Sequence, residues 1–300
     1  MSGRGPILIA HLSDLHLRDA GDVVALDRQL RHIASRSPAH LAITGDLLDR
    51  WDPLLLQNAL DALADHGFRD ADRVTILHGN HDLASSGGHP RAKADLWRLA
   101  LRFWDPPPLI RSRHRAFYGA LARWSPGVGA AAPFEKVVGA GLRIAVVDSV
   151  PVAWRPLRMD GREITVHHAV GCIRAREATW LSGLATDLPL AVLVHHYPLD
   201  VAAFSWRPDG WLRRLVRQVN VPMAIPAGDR QLFWDATTKA RARLVLCGHV
   251  HRARFESRNG IAIGLNGQSG ADWAGRTIAF YDLTAESVVR SLAGDRDQNL

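Results

Sequence analysis

The chain has 300 residues, 47% hydrophobic and 22% charged, a composition that can bury a large core and excludes a disordered protein. Its 37 basic against 30 acidic residues give a net charge of +7. That surplus favours anionic partners such as phosphorylated metabolites, nucleic acid or an acidic membrane surface, although an arginine-rich genome composition yields the same surplus without a selected partner. The N-terminal segment lacks the apolar stretch and cleavage site of a secretory signal, and no run approaches the roughly 18 apolar residues of a spanning helix. The expected location is therefore cytoplasmic. The two cysteines, Cys172 and Cys247, lie far apart, which excludes a thiolate zinc site and suits small core residues.

In chain order, short apolar runs rich in β-branched residues predict buried strands over 7–12, 41–44, 74–78, 144–147, 190–194 and 244–246. Apolar residues at helical spacing predict helices over 23–34, 53–64 and 174–184. The alternation defines an α/β fold. Two further strands, over 261–265 and 277–283, have no helix between them and predict a second, partly antiparallel sheet. One domain over 1–300 accommodates all of this, ending in a polar tail over 292–300.

One region breaks the alternation. Arg91, Lys93, Arg98, Arg102, Arg111, Arg113, Arg115 and Arg123 face only Asp95 and Asp105, interleaved with Trp97, Phe103, Trp104, Phe117 and Tyr118, and Pro106 to Pro108 stiffen the middle. This predicts an inserted cap within 84–140. Its basic and aromatic side chains suit a nucleobase or a membrane interface, and the plainer alternative is a solvated helical hairpin whose aromatics pack on the body.

Five motifs follow predicted strands: Asp14-Leu15-His16, Gly45-Asp46-Leu47-Leu48-Asp49, Gly79-Asn80-His81-Asp82, His195-His196-Tyr197-Pro198 and Gly248-His249-Val250-His251. The carboxyl ends of strands are where α/β sheets bind ligands. Each motif offers oxygen or imidazole donors, and none offers sulfur, which suits Mn, Fe or Zn in a catalytic site. With Asp14 and Asp46 ionised and the other donors neutral, two divalent ions leave about +2, or about +1 with a hydroxide between them, attractive to phosphate. Outside these motifs, His11, His40, His66 and His78 read as core or surface residues.

Together and in this order, the motifs resemble the calcineurin-like metallophosphoesterases, and the resemblance spans residues 7 to 265 apart from the insertion. It implies two packed mixed sheets flanked by helices, a four-layer α/β/β/α sandwich carrying the cap. It implies one metal on Asp14, His16 and His251, a second on Asn80, His249 and a histidine of the His195-His196 pair, and Asp46 as the bridge. His81 is implied as the group that protonates the leaving oxygen, with Asp82 orienting it. His195 directly follows the strand and is favoured as ligand, which leaves His196 as a phosphate contact; members with a Gly-His-Tyr-Pro segment align His196 instead. Arg50, Arg98 and Arg102 are further candidate substrate contacts. Asp49-Arg50 is similar to the phosphate-contacting segment of Ser/Thr protein phosphatases, but Trp51-Asp52 departs from their pattern, so helix capping and surface pairing compete.

The activity implied is hydrolysis of phosphate esters, foremost phosphodiesters, as in cyclic-nucleotide phosphodiesterases. The alternatives are a lipid pyrophosphate hydrolase at the inner membrane surface, resembling UDP-diacylglucosamine pyrophosphohydrolases, and a non-catalytic scaffold on the same fold. A nuclease is favoured by the charge alone.

Overall fold

The computed structural model describes residues 7–85, 105–139, 141–150, 170–184, 187–199, 225–267, 278–284 and 287–292, together with the backbone of two strands over 155–159 and 162–166. The first sheet places β1 (Ile7–Leu12), β2 (His40–Thr44) and β3 (Val74–Leu77) in parallel. In the second, β4 (Phe134–Val138) runs antiparallel to β5 (Leu142–Val146). The pair β6 (Arg155–Met159) and β7 (Arg162–Val166) forms a separate antiparallel hairpin. Next to β5 lie β8 (Leu190–Leu193), β9 (Leu244–Cys247) and β11 (Ile261–Leu265), all parallel, with β10 (Arg254–Arg258) antiparallel at the far edge. The first sheet is completed by β12 (Ala279–Leu283), antiparallel to β1, and β13 (Val288–Leu292).

The strands that the apolar runs predict are continuous because both faces are covered. In β1, Ile7 and Ile9 point into a core between the sheets, where they meet Leu77, Ile144, Val146, Leu193, Leu246 and Tyr281. Ala10 and Leu12 point the other way, into a core shared with α1 (Ala20–Ser35) and α2 (Pro53–Asp65). In β8, Ala191 and Leu193 join the central core, whereas Leu190 and Val192 pack towards α4 (Ala175–Ser182) and α5 (Ala227–Lys239). The layers are therefore helix, sheet, sheet, helix, the expected sandwich. Asp19 and Asp52 cap α1 and α2 by accepting first-turn N–H groups.

Three expectations change. The segments over 261–265 and 277–283 do not pair with each other, because β11 joins the second sheet while β12 closes on β1 in the first. Within 84–140, α3 (Pro107–Trp124) buries Phe117, Tyr118, Leu121 and Trp124 in the core of α1 and α2, and β4 is an edge strand of the second sheet. Both belong to the body rather than to a cap, since their apolar residues have a framework face to cover. Arg113 turns inward, donating to the Leu83 carbonyl at 2.9 Å and pairing with Asp105 at 3.2 Å. Arg98 and Arg102, with Trp97, Phe103 and Trp104, lie outside the described residues, as does the tail over 293–300. Among the described residues, no helix is long and apolar enough to cross a membrane, and both cysteines are buried and outside any disulfide.

Candidate metal centre

All five motifs fall just past the carboxyl ends of β1, β2, β3, β8 and β9. There the backbone leaves the sheet sharply. Asp14, His16, Asp46, His249 and His251 all have positive φ, between 46° and 77°. Side-chain-bearing residues occupy that region at a cost, and such strain gathers at functional sites when surrounding structure fixes it. Cross-loop bonds do so here: the Asp14 N–H donates to the Gly45 carbonyl at 3.0 Å, and the His16 N–H to that of Asp46 at 2.9 Å. The motif glycines chiefly permit close approach. A methyl group at Gly79 would meet Asp46 Oδ1 at 2.2 Å, and one at Gly248 would meet Asp14 Oδ2 at 2.3 Å.

Two groups of ligand atoms result. Asp14, His16, Asp46 and His251 form one, and Asp46, His195 and His249 the other. Asp46 belongs to both. Its Oδ1 accepts the His81 N–H at 2.8 Å, leaving Oδ2 3.8 Å from His16 Nε2 and 3.4 Å from His195 Nε2. Asn80 completes the second group, its Oδ1 lying 3.0 Å from His195 Nε2 and 3.1 Å from His249 Nδ1. On the first side, His251 Nε2 is 3.4 Å from Asp14 Oδ1 and 3.0 Å from His16 Nε2.

Neighbouring groups fix the donor side chains. His195 Nδ1 can only donate to the Thr44 carbonyl, 2.8 Å away, so Nε2 is the atom turned to Asp46 and Asn80. The Asp14 carboxylate accepts the Ser13 hydroxyl at 2.6 Å and the His249 N–H at 3.0 Å. His196 is turned away. Its Nδ1 meets the Ser149 hydroxyl at 2.9 Å and its ring is fully buried beside His249, at the border of the centre.

His81 stands at the edge, its ring 4.3 Å from that of His16. Its orienting partner differs from the expected one. Asp82 accepts the N–H groups of Leu48 and Gly79, both at 2.7 Å, and so ties two motif loops together. Burial and the charge of Asp46 raise its pKa to about 7. Instead Asp49 holds His81: its carbonyl accepts from Nδ1 at 3.0 Å, and its Oδ1 lies 3.4 Å from the same nitrogen and 3.6 Å from His16 Nδ1. Asp49 closes the second motif, which was the available signal. Arg50 is exposed beside it.

Electrostatics divide the donors. Burial alone would raise the Asp46 carboxyl, but His195 and His81 hold it well below the usual range. Burial likewise opposes charge on His195, yet Asp46 and Asp14 raise that imidazole to about 9. Burial, with His196 and His195 alongside, keeps His249 neutral.

The donors fit divalent metals. They are all N or O, most are buried, and the shared carboxylate oxygen stands 3.4–3.8 Å from nitrogens of both groups. Those gaps are too long for good hydrogen bonds and suit donors converging on a common ion.

The same architecture occurs in solved structures. A dimetal phosphatase from Danio rerio superposes with a TM-score of 0.60 at 10% identity, over 96% of this chain and 96% of that one. The protein TT1561 of Thermus thermophilus gives 0.53 at 12% identity, over 96% and 99%. A putative 5'-nucleotidase from Staphylococcus aureus gives 0.51 at 13% identity, over 96% of this chain and 53% of that one. At such identities the likeness is one of fold. No curated protein matches the chain significantly in sequence. Fold and donor set are those of a metal-dependent phosphoesterase. Residues 7–253 match the calcineurin-like phosphoesterase family, and the chain belongs to it.

Proposed function

We propose that the chain hydrolyses phosphodiesters of small phosphorylated molecules, using two divalent metals drawn from Mn, Fe and Zn. The observation that carries this reading is the position of Asp46 Oδ2 between the two donor groups. When bound, two such metals would supply Lewis acidity and lower the pKa of water towards neutrality.

The chain's own groups do the rest. Asp14, His16 and His251 would hold one ion and Asn80, His195 and His249 the other, with Asp46 available to both. Asn80 is neutral where a carboxylate would cancel charge, so the centre keeps a positive surplus for a phosphate bearing one negative charge. His81 delivers a proton to the leaving oxygen while Asp49 fixes its ring. A complete donor set with His81 beside it disfavours a non-catalytic scaffold.

The test is a panel with Mn-loaded protein: p-nitrophenyl phosphate, its bis ester, cyclic nucleotides and a UDP-linked lipid. Faster turnover of the bis ester or a cyclic nucleotide than of the monoester, abolished by chelator, is the expected result. Turnover confined to the monoester would overturn the diesterase reading, and selective turnover of the UDP-linked lipid would replace it with lipid pyrophosphate hydrolysis.

A further inference from the structure

A second group of ligand-type side chains adjoins the centre, and hydrolysis as proposed does not use it. His78 follows β3, His114 lies on α3 and Asp148 follows β5. One donor atom from each lies within 4.8 Å of the others. His78 Nε2 is 3.4 Å from Asp148 Oδ1, and His114 Nε2 is 4.0 Å from Asp148 Oδ2. These are close to the gaps at the metal centre, where His195 Nε2 and His16 Nε2 stand 3.4 and 3.8 Å from Asp46 Oδ2.

Two observations separate this group from an ordinary buried polar cluster. First, His78 is fully buried and its Nδ1 meets the Tyr118 hydroxyl at 2.8 Å, which fixes the ring, yet its Nε2 has no hydrogen-bond partner among the described residues. Buried imidazole nitrogens are ordinarily satisfied, so an unmatched one aimed at a carboxylate points to a missing ligand. Second, among the described residues the arginine paired with Asp148 is shared with another acid. Arg174 lies 3.7 Å from Asp148 Oδ2 but bonds closely to the fully buried Glu177, so the two acids outweigh the one arginine.

We propose that His78, His114 and Asp148 form a third, mononuclear site for a borderline divalent cation such as Zn2+ or Co2+. Two imidazoles and a carboxylate are a donor set such ions accept, with water or an anion oxygen completing the shell. Metal–donor bonds of about 2.0–2.1 Å put tetrahedral donors roughly 3.3–3.5 Å apart. The His78–Asp148 separation already meets that value. His114 closes the rest by a small side-chain shift, and its 17% exposure gives the ion a way in. The site shares a wall with the candidate metal centre: Ser149, next to Asp148, bonds His196, whose ring lies 4.2 Å from that of His249.

The test counts metal in the full chain after loading with Zn2+ and desalting. Three ions per chain are expected in the wild type, two in His114→Ala and in Asp148→Asn, one in Asp46→Ala and none in Asp46→Ala/His114→Ala. His114→Gln, which preserves the helix and is judged against a thermal melt, should also hold two. With Co2+, Asp46→Ala should show one tetrahedral ligand-field band in visible absorption that the added His114→Ala removes. Two ions in the wild type with equal content in Asp46→Ala and Asp46→Ala/His114→Ala would overturn the third site and leave the diesterase reading standing. A content in His114→Ala equal to wild type would overturn it as well.

Discussion

His40 and His195 are both fully buried and both next to a strand's hydrogen-bonded interior, yet they are held in opposite states. His40 lies within β2, its Nδ1 against the Asp72 carbonyl and its Nε2 against the Thr75 hydroxyl, and burial pushes its pKa down to about 3. His11, inside β1 and bonded to Thr44, goes the same way. His195 sits one residue past its strand, where burial is outweighed by Asp46 and Asp14 and the pKa rises to about 9. His251 is raised as well, with the nearby Asp14 carboxylate offsetting burial. Burial alone therefore does not decide the state of His195 and His251, although it does prevail at His249, which His196 and His195 flank. At His195 and His251 the carboxylates gathered at the strand ends outweigh it, because they make a site that seeks positive charge, whether a proton or a metal.

Removing the shared carboxylate should erase that distinction. Asp46→Ala is expected to release both ions of the centre and reduce hydrolysis to the level of chelated wild type; metal analysis and activity retained at wild-type levels would break the comparison. Next in size, His81→Ala should retain the metals but lower turnover of a substrate with a poor leaving group by about 10² to 10⁴. A p-nitrophenyl ester, whose leaving group needs little protonation, should lose less. Equal losses on both substrates would deny His81 its proton.

Asp49→Asn should cost about 10- to 100-fold in activity, the scale for losing a partner that orients a ligand or catalytic ring. It should fall hardest on poor leaving groups, whereas Asp82→Asn should show no such selectivity because its two bonds join loops. The smallest effect concerns the strand-interior histidines. They stay neutral in the fold to about pH 3, while the unfolded chain takes up their protons near 6.5, so stability present above 6.5 is lost as pH falls towards 3. The thermal midpoint of His40→Gln should fall less steeply with acid than that of wild type. Parallel slopes would show that His40 does not carry the effect.

The strand-end half of this comparison was legible in the sequence. Apolar runs such as 7–12 and 190–194 announce strands buried on both faces, and the polar motif behind each announces what the strand end presents. The framework was less legible where local pattern and long-range pairing diverge. The edge strands β4, β10 and β13 alternate polar and partly buried residues and lack a continuous apolar run, and α5 carries too weak an apolar stripe to stand out. Nothing local separates 261–265 from 277–283, which enter different sheets. Within the site, adjacency misled once: Asp82 is next to His81 in sequence, but the tight turn over His81–Leu83 sends its carboxylate back to Gly79, and Asp49 reaches the ring from another loop. His78 looked like a plain core histidine because its companions, His114 and Asp148, are remote in the chain.

The proposed centre depends on Asp46 joining two metals. It is tested most directly by electron paramagnetic resonance of Mn-loaded protein, comparing wild type with Asp46→Ala. A spin-coupled Mn pair is expected in the wild type and absent from the variant; only isolated Mn signals in a wild type that retains its metal would contradict a shared Asp46.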